Sequence, residues 1–154
     1  MKTLKTASFR FLAAILLSVT TPAFAEAHPL WVAPYLSIQS TLAKDSIAGV
    51  PAAGKELAQA LTKTGQLKAA SLASPLESAK SIAEFRDRFQ KLSDLLLPKM
   101  KGVVKSQAKK ASTPPLILAY CPMKKAYWLQ AKGDLRNPYY GAEMLECGVE
   151  EELK

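Results

Sequence analysis

The chain has 154 residues, with 21 lysines and arginines against 13 acidic residues, two cysteines and one histidine. Two cysteines and a lone histidine exclude a zinc finger, which needs a second close pair of ligands. The formal charge of +8 does not make a nucleic-acid binder, because the lysines carry no interleaved aromatics on which bases could stack.

The first residues read as a targeting segment. Lys2, Lys5 and Arg10 form a basic start, Phe11 to Val19 an apolar core, and Ala23-Phe24-Ala25 a small-x-small cleavage pattern. The pattern predicts a signal peptide over 1–25, cut after Ala25. Its apolar core is too short to span a bilayer as a mature helix, and no later stretch is long and apolar enough. No cysteine near the cut offers a lipid anchor. The mature chain, 26–154, is expected to be soluble, periplasmic or secreted, and to sit where disulfides are permitted. Loss of three cations and no acids lowers its formal charge from +8 to +5. Its length suits one domain with one modest core.

Cleavage there would leave Glu26-Ala27-His28 at the new terminus. An α-amino group, two amide nitrogens and the His28 imidazole make a square-planar nitrogen set of the kind Cu(II) or Ni(II) prefers. The plainer reading is a surface histidine near the terminus.

Helices follow. Tyr35, Ile38 and Leu42 keep an i, i+3, i+7 stripe after Pro34, and Asp45-Ser46 breaks it. Pro51 can open a second helix carrying Leu57 and Leu61, which Gly65 can end. Ser74-Pro75-Leu76-Glu77 has capping-box spacing and suggests a third. Ser81 and Glu84 repeat the box and open the clearest helix, striped by Ile82, Phe85, Phe89, Leu92, Leu96 and Val103. Arg86, Arg88, Lys91 and Asp94 fall off that face, and Pro98 should kink or interrupt the helix near Leu97. Lys99, Lys101, Lys105, Lys109 and Lys110 suit its solvated face and C-terminal end. Alanines around Ala52, Ala58, Ala69 and Ala70 let neighbouring helices approach closely.

Thr113, Pro114 and Pro115 mark a boundary. Leu116 to Cys121 then reads as a buried strand, with Tyr127 to Gln130 as its hairpin partner across a turn at Lys124-Lys125-Ala126. Asn137-Pro138 with Gly141 marks a further turn, and Glu143 to Cys147 a single helical turn. Glu150 to Glu152 is an acidic tail with no inferred role. The expected fold is mainly α (α+β), a small antiparallel helical bundle over 26–112 with a short C-terminal β-hairpin and sulfur-rich loop over 113–154.

An enzyme is not expected. One histidine near a terminus cannot orient a catalytic nucleophile, and no hydrolase elbow, phosphate loop or metalloprotease motif appears.

The chemistry lies in the sulfur atoms. Cys121 and Met123 are two apart and share a face on a strand. Met144 and Cys147 are three apart and share a face on a helical turn. Four converging sulfurs would select copper(I) or a similar soft metal. The same spacing equally suits a disulfide between Cys121 and Cys147, worth about 3.5 kcal/mol in the chain-entropy model. Both readings stand. If the pair is only a staple, Trp128, Tyr139 and Tyr140 could form an aromatic contact for another envelope protein, unless they pack on the helices. For Met123 and Met144 the plain role is gap-filling in the core.

The segment from Cys121-Pro122-Met123, through Trp128-Leu129 and Asn137-Pro138-Tyr139-Tyr140-Gly141, to Met144 and Cys147-Gly148 resembles a bacterial family of exported domains of unknown function. In some proteins that domain is fused to periplasmic adaptor subunits of heavy-metal efflux pumps. The matched positions are Cys121, Met123, Asn137, Pro138, Tyr139, Gly141, Met144 and Cys147, and the turn after Met123 is shorter here. The resemblance implies a periplasmic domain concerned with copper or related metals, with envelope metal-efflux proteins as partners.

Overall fold

The computed structural model describes residues 28–107 and 115–153. The expected signal peptide, Glu26, Ala27, Lys109, Lys110, Thr113 and Pro114 lie outside them. The elements are α1 (Val32–Ala43), α2 (Val50–Lys63), α3 (Leu67–Ala73) running into a 3-10 turn (Ser74–Glu77), and α4 (Ile82–Gln107). Then come β1 (Leu116–Cys121), β2 (Ala126–Ala131), a second 3-10 turn (Gly141–Glu143) and β3 (Val149–Glu150). Among the described residues the fold is therefore α+β, four helices with a small three-stranded antiparallel sheet.

The stripes explain the helices. Tyr35, Ile38 and Leu42 of α1, Leu57 and Leu61 of α2, and Phe85, Phe89, Leu92, Leu96 and Val103 of α4 are buried, while Ile82 is half-buried. Each helix hides one apolar face, and that burial is the main favourable term for so small a chain. At the start of α4 the Glu84 N–H donates to Ser81 Oγ at 3.2 Å. The Glu84 carboxylate reaches back to the Lys80 N–H at 2.9 Å, one residue beyond the usual capping-box donor.

Two expectations are corrected. The third helix begins at Leu67 and not at Ser74, and Ser74–Glu77 forms its 3-10 tail. Ser74 bonds back to the Ala70 carbonyl at 3.2 Å and caps nothing. Small residues carry this part: Ala69, Ala70 and Ala73 are buried, and a Cβ on Gly54 of α2 would lie 2.8 Å from Leu76 Cβ. Of the two outcomes expected at Pro98, interruption does not occur, since α4 runs 26 residues through it. Pro98 and Asp94, whose carbonyl loses its partner, are both exposed, so water can take the place of the missing bond.

The strand order is β2-β1-β3. β1 and β2 pair with Leu116 opposite Ala131 and Cys121 opposite Ala126. The turn spans Pro122 to Lys125, and Lys125 takes φ +54°. β3, which nothing in the hydropathy pattern announces, pairs Val149 with Tyr120 and Glu150 with Ala119. β1 and β2 pack on α4, and β2 also packs on α1. One core joins Trp31, Tyr35, Phe89 and Leu96 from the helices to Leu118, Trp128 and Tyr139. Among the described residues no helix is long and apolar enough to cross a membrane.

Candidate functional site

Cys121 ends β1 with its side chain fully buried. Its sulfur accepts the Lys124 N–H at 3.4 Å, because the turn after β1 folds back over the strand end. Cys147 follows a tight turn in which its N–H donates to the Met144 carbonyl at 3.1 Å. The two thiols meet at 3.9 Å and are not bonded. Cys147 is half-buried. Burial, and then the neighbouring Cys121 sulfur, push its thiol pKa up.

The loop carrying Cys147 is held by Asn137, a fully buried polar residue. Its side-chain oxygen accepts the Tyr139 N–H at 2.9 Å, an Asx turn. Its side-chain nitrogen donates to the Cys147 carbonyl at 2.7 Å. Its backbone N–H donates to the Leu145 carbonyl at 2.7 Å, and its own carbonyl accepts the Gly141 N–H at 3.1 Å. A buried amide with both ends satisfied fixes a loop strongly.

A second anchor ties the loop to the helices. Arg86 Nε donates to the Pro138 carbonyl at 3.0 Å, and its Nη2 to the Leu42 carbonyl at 3.1 Å and Asp45 Oδ1 at 2.6 Å. The other Asp45 oxygen accepts the Ala142 N–H at 2.8 Å. Gly141 passes beneath this pair at φ +61°, where a Cβ would collide with both side chains. Arg86, expected off the apolar face, thus has a tertiary role, and Asp45 is more than a helix stop. No spacing or pattern could have paired them across that distance in the chain.

The structure brings together only two of the four expected sulfur residues by direct contact. Met123 lies on the turn and is 65% exposed, because β1 ends at Cys121 and the two-residue strand periodicity stops there. Met144 is half-buried at the end of the 3-10 turn, not on the helical turn expected for Glu143 to Cys147. His28 is buried, not on the surface, and the Glu26 and Ala27 of its expected chelate lie outside the described residues.

The aromatic contact is corrected for two of its three residues. Trp128 and Tyr139 are buried, ring centroids 6.1 Å apart and edge to face, while Tyr140 is half-buried. The Trp128 N–H donates to Gln130 Oε1 at 2.8 Å, and the Tyr139 hydroxyl donates to the Tyr127 carbonyl. Their apolar area and hydrogen-bonding tips are both satisfied inside. Gly148 lies directly against Trp128, where a Cβ would come within 2.7 Å of the ring. These rings are the floor on which the Cys147 loop rests.

A soft metal fits the donor set. Two metal–sulfur bonds of about 2.3 Å span up to about 4.6 Å, so thiols 3.9 Å apart lie within reach of one ion. Thiolate is the protein ligand that favours copper(I). Among the described residues no group of three or more histidine, cysteine or carboxylate side chains could hold a metal, so further donors would have to be methionine or exogenous.

No protein-family model, curated protein or solved structure matches this chain.

Proposed function

We propose that this protein is an exported periplasmic domain, a helical bundle with an attached hairpin, that binds a soft metal ion through Cys121 and Cys147. Copper(I) is the ion the donors favour, and a role beside envelope metal-efflux proteins follows from the family resemblance. The single observation that carries the reading is the unbonded thiol contact of 3.9 Å. That contact is supported by Asn137 and by the Asp45–Arg86 pair, so no covalent link is needed to bring the sulfurs together. Such preorganisation is what a binding site needs from its surroundings. Met144 is the nearer methionine in sequence to the loop's sulfur, and Met123 lies exposed on the turn that follows Cys121. Because the Cys147 thiol is raised by burial, binding must displace its proton, and affinity should climb with pH.

The second reading is a disulfide-stapled interaction module with no metal role. The same contact favours it, since closing from 3.9 Å to a bond of about 2.05 Å needs a small shift, and an exported protein meets oxidants. Tyr140, half-buried, would then be the accessible part of its aromatic contact.

An anaerobic titration of reduced protein against a copper(I) chelator separates the two. The metal reading expects one ion per chain, with binding weakened at least about tenfold in Met123→Leu/Met144→Leu, which conserves volume and removes only sulfur. Equal affinity in both proteins removes the methionines from the site. No uptake after reduction leaves the module reading, and any Cu(II) uptake would then belong to Glu26-Ala27-His28. Intact mass of the exported protein tests the cut after Ala25.

A further inference from the structure

Away from the thiols, a cleft of about 670 Å³ opens between the C-terminal half of α1, the end of β2 and the loop that follows. Its volume is that of a small-molecule site. The apolar lining comes from Leu36, Ala43, Ala142 and Leu145. The walls are fixed by two buried glutamines that also line it. Gln39 Nε2 donates to the Arg136 carbonyl at 2.6 Å. Gln130 Oε1 accepts the Arg136 N–H at 3.0 Å, and Gln130 Nε2 donates to the Asp134 carbonyl at 3.0 Å. Gln130 through both ends of its amide and Gln39 through its nitrogen are engaged with the 134–136 backbone, so they brace that wall of the cleft.

Charge decides what could enter. The lining carries Lys44, Lys132 and Arg136 against Asp45 and Asp134. Asp45 is already gripped by Arg86 and the Ala142 N–H, and Asp134 faces Arg136 at 3.7 Å. Lys44 and Lys132 form no ion pair among the described residues. Among the described residues the cleft therefore joins an apolar floor to two lysines outside any ion pair, with three cations against two carboxylates in its lining.

We infer that this cleft binds a small amphiphilic anion, a carboxylate on a medium-length acyl chain, with its tail over Leu36 and Leu145 and its head at Lys44 and Lys132. A hydrophilic anion would leave the apolar floor wet, and an amphiphilic cation would meet like charge. The inference does not rest on the metal reading, since neither cysteine lines the cleft.

The test is a titration of the full mature chain with decanoate below its micelle concentration, followed by amide chemical shifts. Saturable shifts should concentrate in 36–45, 130–136 and 142–145. Acetate and decyltrimethylammonium should each bind at least about tenfold more weakly. Lys44→Glu/Lys132→Glu replaces two exposed side chains and should melt like the parent while losing decanoate binding at least tenfold. A Ser40→Trp substitution, which fills the cleft from α1, should abolish the saturable shifts. Equal binding of decanoate and decyltrimethylammonium, shifts centred elsewhere, or decanoate affinity unchanged in the charge-reversed protein would each overturn the assignment.

Discussion

Asp45 and Arg86, 41 residues apart, form a 2.6 Å ion pair that also grips the backbone of the C-terminal loop at Pro138 and Ala142. Asp45 itself sits at φ +55° just past the end of α1, a conformation aspartate tolerates better than most residues. The pair joins α1, α4 and the loop that carries Cys147.

This clamp should be sensitive to acid. The Ala142 N–H, and then Arg86, hold the Asp45 carboxyl below the usual range. A lowered folded-state value gives stability that is fully present above the ordinary aspartate pKa of about 3.9 and lost as pH falls through the folded one. Comparing wild type with Asp45→Asn isolates the effect, because other carboxylates are common to both. The stability difference between them should shrink steadily below about pH 4 in urea melts. A constant difference from pH 7 to pH 3 would show that Asp45 does not titrate with the clamp.

Arg86→Met keeps most of the side-chain volume but removes the donor to the Pro138 carbonyl and leaves the Leu42 carbonyl with the Asp45 N–H alone. Loss of charge-assisted bonds to partly buried groups should cost about 2–3 kcal/mol. Arg86→Lys should recover only part of this, since an ammonium cannot reproduce the fork of the guanidinium. Chemical denaturation read by far-ultraviolet circular dichroism checks both, and full rescue by lysine would reduce the role of Arg86 to charge.

Gly141→Ala should destabilise by more than the 1–2 kcal/mol or so that a left-handed alanine costs, because its methyl also meets Asp45 and Arg86. In an Asp45→Ala background part of that extra cost should vanish, giving a coupling of about 1 kcal/mol in a double-mutant cycle. Strict additivity would place the cost in the backbone alone.

Asn137→Ala should loosen the thiol contact without touching either sulfur. Removing the buried amide strands the Cys147 carbonyl and the Tyr139 N–H, at about 1–3 kcal/mol each. The informative readout is the rate at which reduced protein oxidises to an intramolecular disulfide, which should fall relative to wild type under native conditions. An unchanged rate would mean that the loop is positioned without Asn137.

Phe89→Ala probes the core beneath the site. Phe89 is fully buried, with ring centroids 4.8 Å from Tyr35 and 6.2 Å from Tyr139. The expected cost is about 3–5 kcal/mol, a large share of the stability of a domain this size. A melt like that of wild type would mean the face of α4 had been misread.

Period and punctuation made much of this legible beforehand. The stripe from Phe85 to Val103, the α1 stripe at Tyr35, Ile38 and Leu42, and the strand ending at Cys121 all declare themselves locally. What stayed hidden depends on residues remote in sequence. β3 has two residues and takes its register from Ala119 and Tyr120, so it has no periodicity of its own. Trp128 and Tyr139 look like surface aromatics because their hydrogen-bond partners, Gln130 and the Tyr127 carbonyl, cannot be guessed from spacing. The cysteine contact was legible as an option, but the separate fates of Met123 and Met144 were not, since both hang on where a strand and a turn stop.

The Asp45–Arg86 anchor makes the cysteine contact a reporter of the whole fold. The loop that carries Cys147 is seated on α1 and α4 through Asp45 and Arg86, so the reactivity of the two thiols toward each other should follow tertiary packing far from either sulfur.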